Sequence, residues 1–185
     1  MSLAPERIRM VPAVLSFGLG RLPLGPLAIM VGQLVRVAGQ RHPEVSARMA
    51  EHAGKSFAIE PTDLPFKFLL RPQSDRPTMM VKRSCEAMDA DARIAGPVAA
   101  LLGLMHGAYD GDALFFSRDL LVEGDIEAVV ALRNAIDNAE IDLLAEAAAA
   151  LGPLATAAEQ LGRLAAPIIG RITGLPLTRS GGVPR

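Results

Sequence analysis

The stretch DGDALFFSRDLLVEGDIEAVVALRNAIDN, residues 110–138, decides how the rest of the chain is read. It runs as one strand directly into one helix. Phe116, Leu120 and Val122 fall on one side of a period-two pattern, with Ser117, Asp119 and Glu123 on the other, as in a strand that buries a single face. Gly124 breaks the strand. Asp125 is placed to accept from the free N–H groups of a first helical turn, and Glu127 adds negative charge at the positive end of the helix dipole. Ile126, Val129, Leu132 and Ile136 recur at spacings of three and four and predict one apolar helix face, with Asn138 as its stop. None of these residues has the setting of a catalyst. A strand and a helix with apolar faces, joined at a Gly-Asp corner, build a wall.

Working upstream, Phe57 and Ile59 alternate with Ser56, Ala58 and Glu60, and Pro61-Thr62-Asp63 turns the chain. Phe66, Phe68 and Leu70 alternate with Lys67 and Arg71. After a Pro-, Ser- and Asp-rich turn, Met79 and Val81 stand against Lys82. Three short strands in this order predict an antiparallel meander covered on one face. Ala92, Ile94 and Gly96 give a fourth, small-residue strand, and Pro97 opens a helix at its tolerated first position. The apolar face of that helix is Val98, Leu101, Leu102 and Met105, with Gly107 as its end. Ahead of the meander, Leu27, Met30, Val31, Leu34, Val35 and Ala38 form an amphipathic stripe, and residues 44–53 predict a shorter helix.

The expected architecture is α+β: a sheet of about five strands, mixed but mainly antiparallel, with helices packed on one side. It occupies residues 27–140. An apolar, basic extension, residues 1–26, precedes it. An Ala- and Leu-rich helical extension, residues 141–179, follows, with Leu154, Ala158, Leu161, Leu164, Ile168 and Ile172 at helical spacing and Pro153 and Pro167 interrupting. Residues 180–185 are expected to be a disordered tail.

Composition narrows the function classes. At 185 residues, half of them apolar, the chain suits one domain with extensions and a proper core. The single Cys85 leaves no internal disulfide and no zinc-type cluster. Net charge is −1 but uneven: residues 1–50 carry +4, residues 151–185 carry +3, and the remainder carries −8. Basic, apolar ends flanking an acidic body suit an anionic membrane surface. No run reaches the ~18 apolar residues of a membrane span, and no signal-peptide pattern is present. The expected location is cytoplasmic with peripheral membrane association. An acidic body, few aromatics and no basic stripe exclude nucleic acid as a partner.

Motifs for chemistry are absent. Residues 18–23, GLGRLP, lack a preceding strand and the third glycine of a dinucleotide site. Gly54-Lys55-Ser56 imitates the end of a phosphate loop, but Met49 stands where its first glycine belongs. His42, His52 and His106 do not have metal-ligand spacing, and no cofactor is expected. His106 with Asp110, Ser117 or Cys85 leaves open a small hydrolase or transferase, since nucleophile and base need only meet in space, although Ser117 lacks the nucleophile elbow. What remains is a surplus of apolar side chains, including the adaptable methionines that suit a flexible, chain-like ligand.

The run LFFSRDLLVEGDIEAVVALRNAIDN resembles the signature of sterol carrier protein type-2 domains, with the same hydrophobic-x-Gly-Asp corner. More narrowly it is similar to the UbiT family of bacterial ubiquinone-biosynthesis accessory factors. The pieces DARIAG at residues 91–96 and LPLGPL at residues 22–27 match in the same order. The resemblance spans roughly residues 20–140, and the weakly charged end of the chain departs from the charged coiled coil of the aerobic relative. It implies a non-enzymatic protein that encloses an apolar tunnel between sheet and helices and holds polyprenylated quinone intermediates for oxygen-independent ubiquinone synthesis. Phe66, Phe68, Met79, Leu101, Leu102, Met105, Phe115, Phe116, Val129 and Leu132 are the expected lining. The implied ligand is an isoprenoid quinone or a phospholipid, and the implied partners are UbiU–UbiV-type hydroxylases. A general carrier of phospholipid or fatty acyl chains is the alternative within the same fold.

Overall fold

A computed structural model describes residues 10–21, 23–73, 76–105, 119–139 and Glu146. The expectations for Gly107, Phe115, Phe116, nearly all of the 141–179 extension and the 180–185 tail lie outside the described residues.

The elements are α1 (Ala13–Leu19), α2 (Leu24–Arg41), α3 (Pro43–Arg48), a 3-10 turn (Ala50–His52), β1 (Phe57–Pro61), β2 (Phe66–Arg71), β3 (Thr78–Arg83), β4 (Ala92–Gly96), α4 (Val98–Met105), β5 (Leu121–Gly124) and α5 (Ile126–Ala139). The strands form one sheet in the order β3-β2-β1-β4-β5. The first three make the expected antiparallel meander; β4 pairs parallel with β1, and β5 antiparallel with β4. The α+β architecture with a five-stranded mixed sheet is therefore as expected.

Register sorts the side chains into two faces. Phe57 lies opposite Leu70 and Ala92, and Ile59 opposite Phe68 and Ile94. Because successive residues of a strand point to opposite sides, these share a face with Met79, Val81 and Val122. That face carries the core: Phe57 and Met49 are fully buried among Ile94, Leu101, Leu120, Ala128, Val129 and Leu132. Burying a side chain the size of Phe57 contributes about 1.5–3 kcal/mol. The opposite face mixes charged groups with buried Ala58, Leu69, Ala95 and Lys67. Arg93 donates to Glu60 through Nε at 2.9 Å and Nη2 at 2.7 Å, and to Glu123 through Nη1 at 2.7 Å. Lys67 Nζ lies 3.4 Å from Glu60.

Several boundaries differ from those expected. The amphipathic helix starts at Leu24 rather than Leu27, since Pro26 falls in the first turn, where its missing N–H has no helical partner to lose. Met30 of the expected inward stripe is exposed. The helix over residues 44–53 divides into α3 and the 3-10 turn, with Met49 buried at the break. Pro97 precedes α4, its carbonyl accepting from Ala100 and Leu101 N–H. β5 starts only at Leu121, after a bend at residues 119–120. On α5, Ile126 is 57% exposed and the inward positions are Ala128, Val129, Leu132 and Ala135. The cap at Asp125 sets the phase of the helix, and the two alanines let it lie close to the sheet.

Candidate functional site

The wall predicted from the Gly-Asp corner is held by a polar clasp. Gly124 has φ +82°, and a Cβ there would collide with the Asp91 carbonyl oxygen and lie 3.2 Å from Ala92 Cα. Only glycine combines this conformation with such an approach. Asp125 N–H donates to the Asp91 carbonyl at 3.0 Å. Asp125 Oδ1 accepts from Ala128 N–H at 3.0 Å, capping α5, and its Oδ2 lies 3.0 Å from Lys55 Nζ. Asp91 Oδ2 accepts from the backbone N–H and the hydroxyl of Ser56, both at 2.8 Å. The Ala128 N–H, with Lys55 beside it, holds the Asp125 carboxyl below the ordinary carboxylate range. The Ser56 hydroxyl and N–H do the same for Asp91. Lys55 is raised by its bond to Asp125. Lys55 and Ser56, the phosphate-loop look-alike, are thus spent on structure.

Behind this wall the apolar interior is packed at one end and loose at the other. α4 and α5 bear on β4, α2 bears on β3, and α3 bridges α2 and α5. β2 lies between the two helix groups. Of the expected lining, Leu101, Val129 and Leu132 belong to the packed core, and Leu102 is half-buried on α4. Phe66, Phe68 and Met79 stand on the same face of the sheet but outside that core. The Phe66 and Phe68 rings meet edge to face at 5.7 Å. Leu70 packs at the margin of the core, and Phe68, Leu70, Met79 and Val81 are all half-buried. The side chain of Met105 and both Phe115 and Phe116 lie outside the described residues.

The facing helix explains the looseness. α2 has 18 residues and not one is buried. Its inward stripe, Leu24, Leu27, Val31, Leu34, Val35 and Ala38, is half-buried throughout. It runs antiparallel to β3, tied at one end by the Arg83 Nη1 bond to the Gly20 carbonyl, 2.6 Å. At the other end Gly39 abuts Pro77, where a Cβ would strike Cγ and lie 2.9 Å from Cδ. The half-buried α2 stripe faces Phe68, Leu70, Met79 and Val81, so the apolar seam between α2 and β2–β3 is less fully covered than the core, with Phe66 buried at its end. Leu70, Val81 and the α2 stripe were absent from the expected lining, although the alternation of β2 and β3 and the helical period already placed them on these faces.

A second concavity lies at the end of the sheet where β2 begins. A cleft of about 570 Å³ is bounded by Met10, Val11, Ala13, Ser16, Phe17, Gly20 and Arg21 on one side and residues 62–65 on the other. None of the expected lining residues takes part in it. Its anchor is the buried Asp63, whose Oδ2 accepts from Val11 N–H at 2.9 Å and whose Oδ1 accepts from Val98 N–H at 2.8 Å. One carboxylate thereby caps α4 and fastens the chain leading into α1. In the sequence Asp63 reads only as a turn residue, because nothing local signals partners 52 and 35 positions away.

Of the residues considered for catalysis, only Cys85 is described. His106, Asp110 and Ser117 lie outside the described residues, and Cys85 is exposed. His42 places Nδ1 3.1 Å from Glu44 and Nε2 3.2 Å from the buried Glu146, which also meets Arg41 at 3.1 Å. This group ties Glu146 to the α2–α3 corner. Among the described residues no three potential ligands form a metal site, and no helix is long and apolar enough to cross a membrane.

Comparison with known proteins bears on the same region. A model of the SCP-2 sterol transfer family matches residues 35–137. No curated protein matches the chain. Among solved structures, a UbiJ-SCP2 ubiquinone synthesis protein superposes with TM-score 0.54 at 23% identity, over 65% of this chain and 97% of that one. Sterol carrier protein 2 from Yarrowia lipolytica, in its apo form, gives 0.43 at 14%, over 62% and 89%. A sterol carrier protein domain of Helicoverpa armigera gives 0.41 at 12%, over 58% and 82%. The likeness to the first extends to the fold.

Proposed function

Starting from the fact that the chain belongs to the SCP-2 sterol transfer family, a family of lipid carriers, we propose that it is a non-enzymatic carrier of polyprenylated quinone intermediates in ubiquinone synthesis. The observation that carries this reading is the half-covered apolar seam between α2 and β2–β3, set beside a fully packed core. A polyprenyl tail leaving water gains about 0.8 kcal/mol per buried CH₂, and half-covered aliphatic and aromatic side chains offer it a surface without first unpacking the core. A tail lodged at this seam leaves the quinone ring within reach of enzymes that modify it. On this reading, which the resemblance to the UbiT branch supports, the carrier serves UbiU–UbiV-type hydroxylases in the oxygen-independent route. The carrier works in the cytoplasm against the membrane surface.

The test pairs folding with function. Val81→Asp sets a carboxylate on the seam between α2 and β2–β3, beside the proposed tail, where burial costs several kcal/mol or forces a raised pKa. If circular dichroism shows a folded variant, organic extraction and mass spectrometry are expected to find less isoprenoid quinone bound to it than to the unaltered protein. Cells lacking the protein are expected to make less ubiquinone without oxygen and a normal amount in air, and the folded variant to leave the anaerobic supply unrestored. Unaltered protein whose extract holds phospholipid and no quinone would support the general acyl carrier instead.

A further inference from the structure

The cleft of about 570 Å³ between α1 and the β1–β2 turn has no task in the carrier reading as it stands. Its size lies within the range of about 300–1,000 Å³ typical of sites for compact ligands. The walls are mostly apolar, through Met10, Val11, Phe17, Leu64 and Pro65. The polar groups set among them are chiefly donors. The guanidinium carbon of Arg21 lies 3.9 Å from the centroid of the Phe17 ring, and its N–H groups meet no acceptor among the described residues. Ser16 and Thr62 add hydroxyls. The single carboxylate at the cleft, Asp63, is already engaged, its Oδ1 accepting from Val98 N–H and its Oδ2 from Val11 N–H. Donors are therefore on offer and no free carboxylate is. That pattern suits a neutral ring bearing carbonyl or ether oxygens, which accept and do not donate. It disfavours an ammonium headgroup, which would need the carboxylate. It also disfavours a phosphate, whose charge would sit among apolar side chains against one exposed cation.

Position links the cleft to the seam. Leu64 and Pro65 lead directly into Phe66, which is buried at the end of the seam between α2 and β2–β3. On the other side of the cleft, the Gly20 carbonyl accepts from Arg83 Nη1 at 2.6 Å, at the end of β3. Cleft and seam therefore meet at one end of the sheet. We propose that the cleft receives the oxygen-bearing ring of the carried lipid, with Arg21 donating to a ring oxygen and Phe17 bounding the ring, while the tail lies along the seam. The proposal rests on the carrier reading and adds specificity to it. The seam supplies affinity for any apolar chain, and the cleft distinguishes an oxygenated ring from other heads. Met10, Phe17 and Arg21 at the rim are exposed, so a ring held there keeps one edge open to a modifying enzyme.

Two probes separate ring from tail: a benzoquinone carrying a short prenyl chain, and farnesene, a prenyl hydrocarbon with no ring. Each is titrated into the delipidated full-length protein and followed by amide NMR. The quinone is expected to shift the amides of residues 16–21 and 62–64, and farnesene those of β2 and β3. Arg21→Met keeps an unbranched stem over Phe17 and removes every side-chain donor. It is expected to weaken the quinone by roughly tenfold, the effect of one hydrogen bond to a charged group, and to leave farnesene unchanged. Ala13→Trp, which fills the cleft from an exposed position, is expected to act in the same way, with circular dichroism showing that each variant is folded. Quinone affinity indifferent to both variants, with farnesene still bound, overturns the proposal and leaves the carrier reading standing. An Arg21→Met variant that loses short-chain phosphatidylglycerol but not the quinone also overturns it and makes the cleft a phosphate site. Unaltered protein that binds neither probe defeats the carrier reading, and the proposal falls with it.

Discussion

At the scale of single residues, the corner Gly124-Asp125 shows how two positions can fix an entire wall. Gly124 lets β5 approach the Asp91 carbonyl in a left-handed conformation, and Asp125 then caps α5 while engaging Lys55. Gly124→Ala is expected to destabilise the domain by about 1–3 kcal/mol, because strained φ and a steric clash act together. A urea midpoint that does not move would show that the strand end can shift without cost. Asp63 is the other decisive residue, its two oxygens taken by two distant backbone donors. The corner was legible in the sequence, since a Gly-Asp pair between a period-two and a period-3.6 pattern has few other meanings. Asp63 was not, because a side chain that bonds across the fold leaves no periodic trace.

At the scale of elements, alternation placed all four described strands of the meander and crossover within a residue or so of their bounds, because one face of the sheet takes the large apolar side chains of the core in alternation; the other face, with Ala58, Leu69 and Ala95 buried, is also partly covered. The inward phase of α5 was partly misread. Ile126 invited counting from the larger side chain, whereas the cap fixes the helix and gives two of the inward positions to alanine. The looseness of α2 could not be foreseen either, since a periodic stripe reveals which face turns inward but not how completely it is covered. The Gly39 contact with Pro77 makes that looseness testable. Gly39→Val forces the end of α2 away from the β3 turn, and overpacking of this kind costs about 1–3 kcal/mol. If the α2–β3 seam is the binding site, the variant is also expected to hold a bound fluorescent fatty acid or quinone analogue less tightly at temperatures where it remains folded. Unchanged affinity with reduced stability would move the ligand away from the α2–β3 seam.

At the scale of the whole molecule, the chain divides its tasks between two surfaces of one sheet and between two ends of one interior. One face carries the Arg93, Glu60 and Glu123 cluster beside the buried Ala58, Leu69 and Ala95, while the other is sealed by α4 and α5 and less fully covered beneath α2. This division has a consequence for stability against pH. Glu60 is lowered from its ordinary value, burial raising it but Arg93 and Lys67 outweighing that effect. Asp91 is lowered by Ser56, and Asp125 by Ala128 N–H and Lys55. A carboxyl whose folded pKa is depressed stabilises the fold above its unfolded value of about 4 and loses that contribution as pH falls through the folded value. Lys55, raised by Asp125, contributes in the opposite sense, with its stabilisation lost only as pH rises beyond the ordinary lysine value of about 10. The urea midpoint is therefore expected to be level between about pH 5 and 9 and to decline below about pH 4. Lys55→Met is expected to make the acid decline shallower without abolishing it, because Ala128 N–H and Ser56 continue to favour the ionised Asp125 and Asp91. A midpoint that instead falls steeply between about pH 6 and 8, where histidines ordinarily titrate, would contradict the carboxylate account and assign the pH response to a histidine.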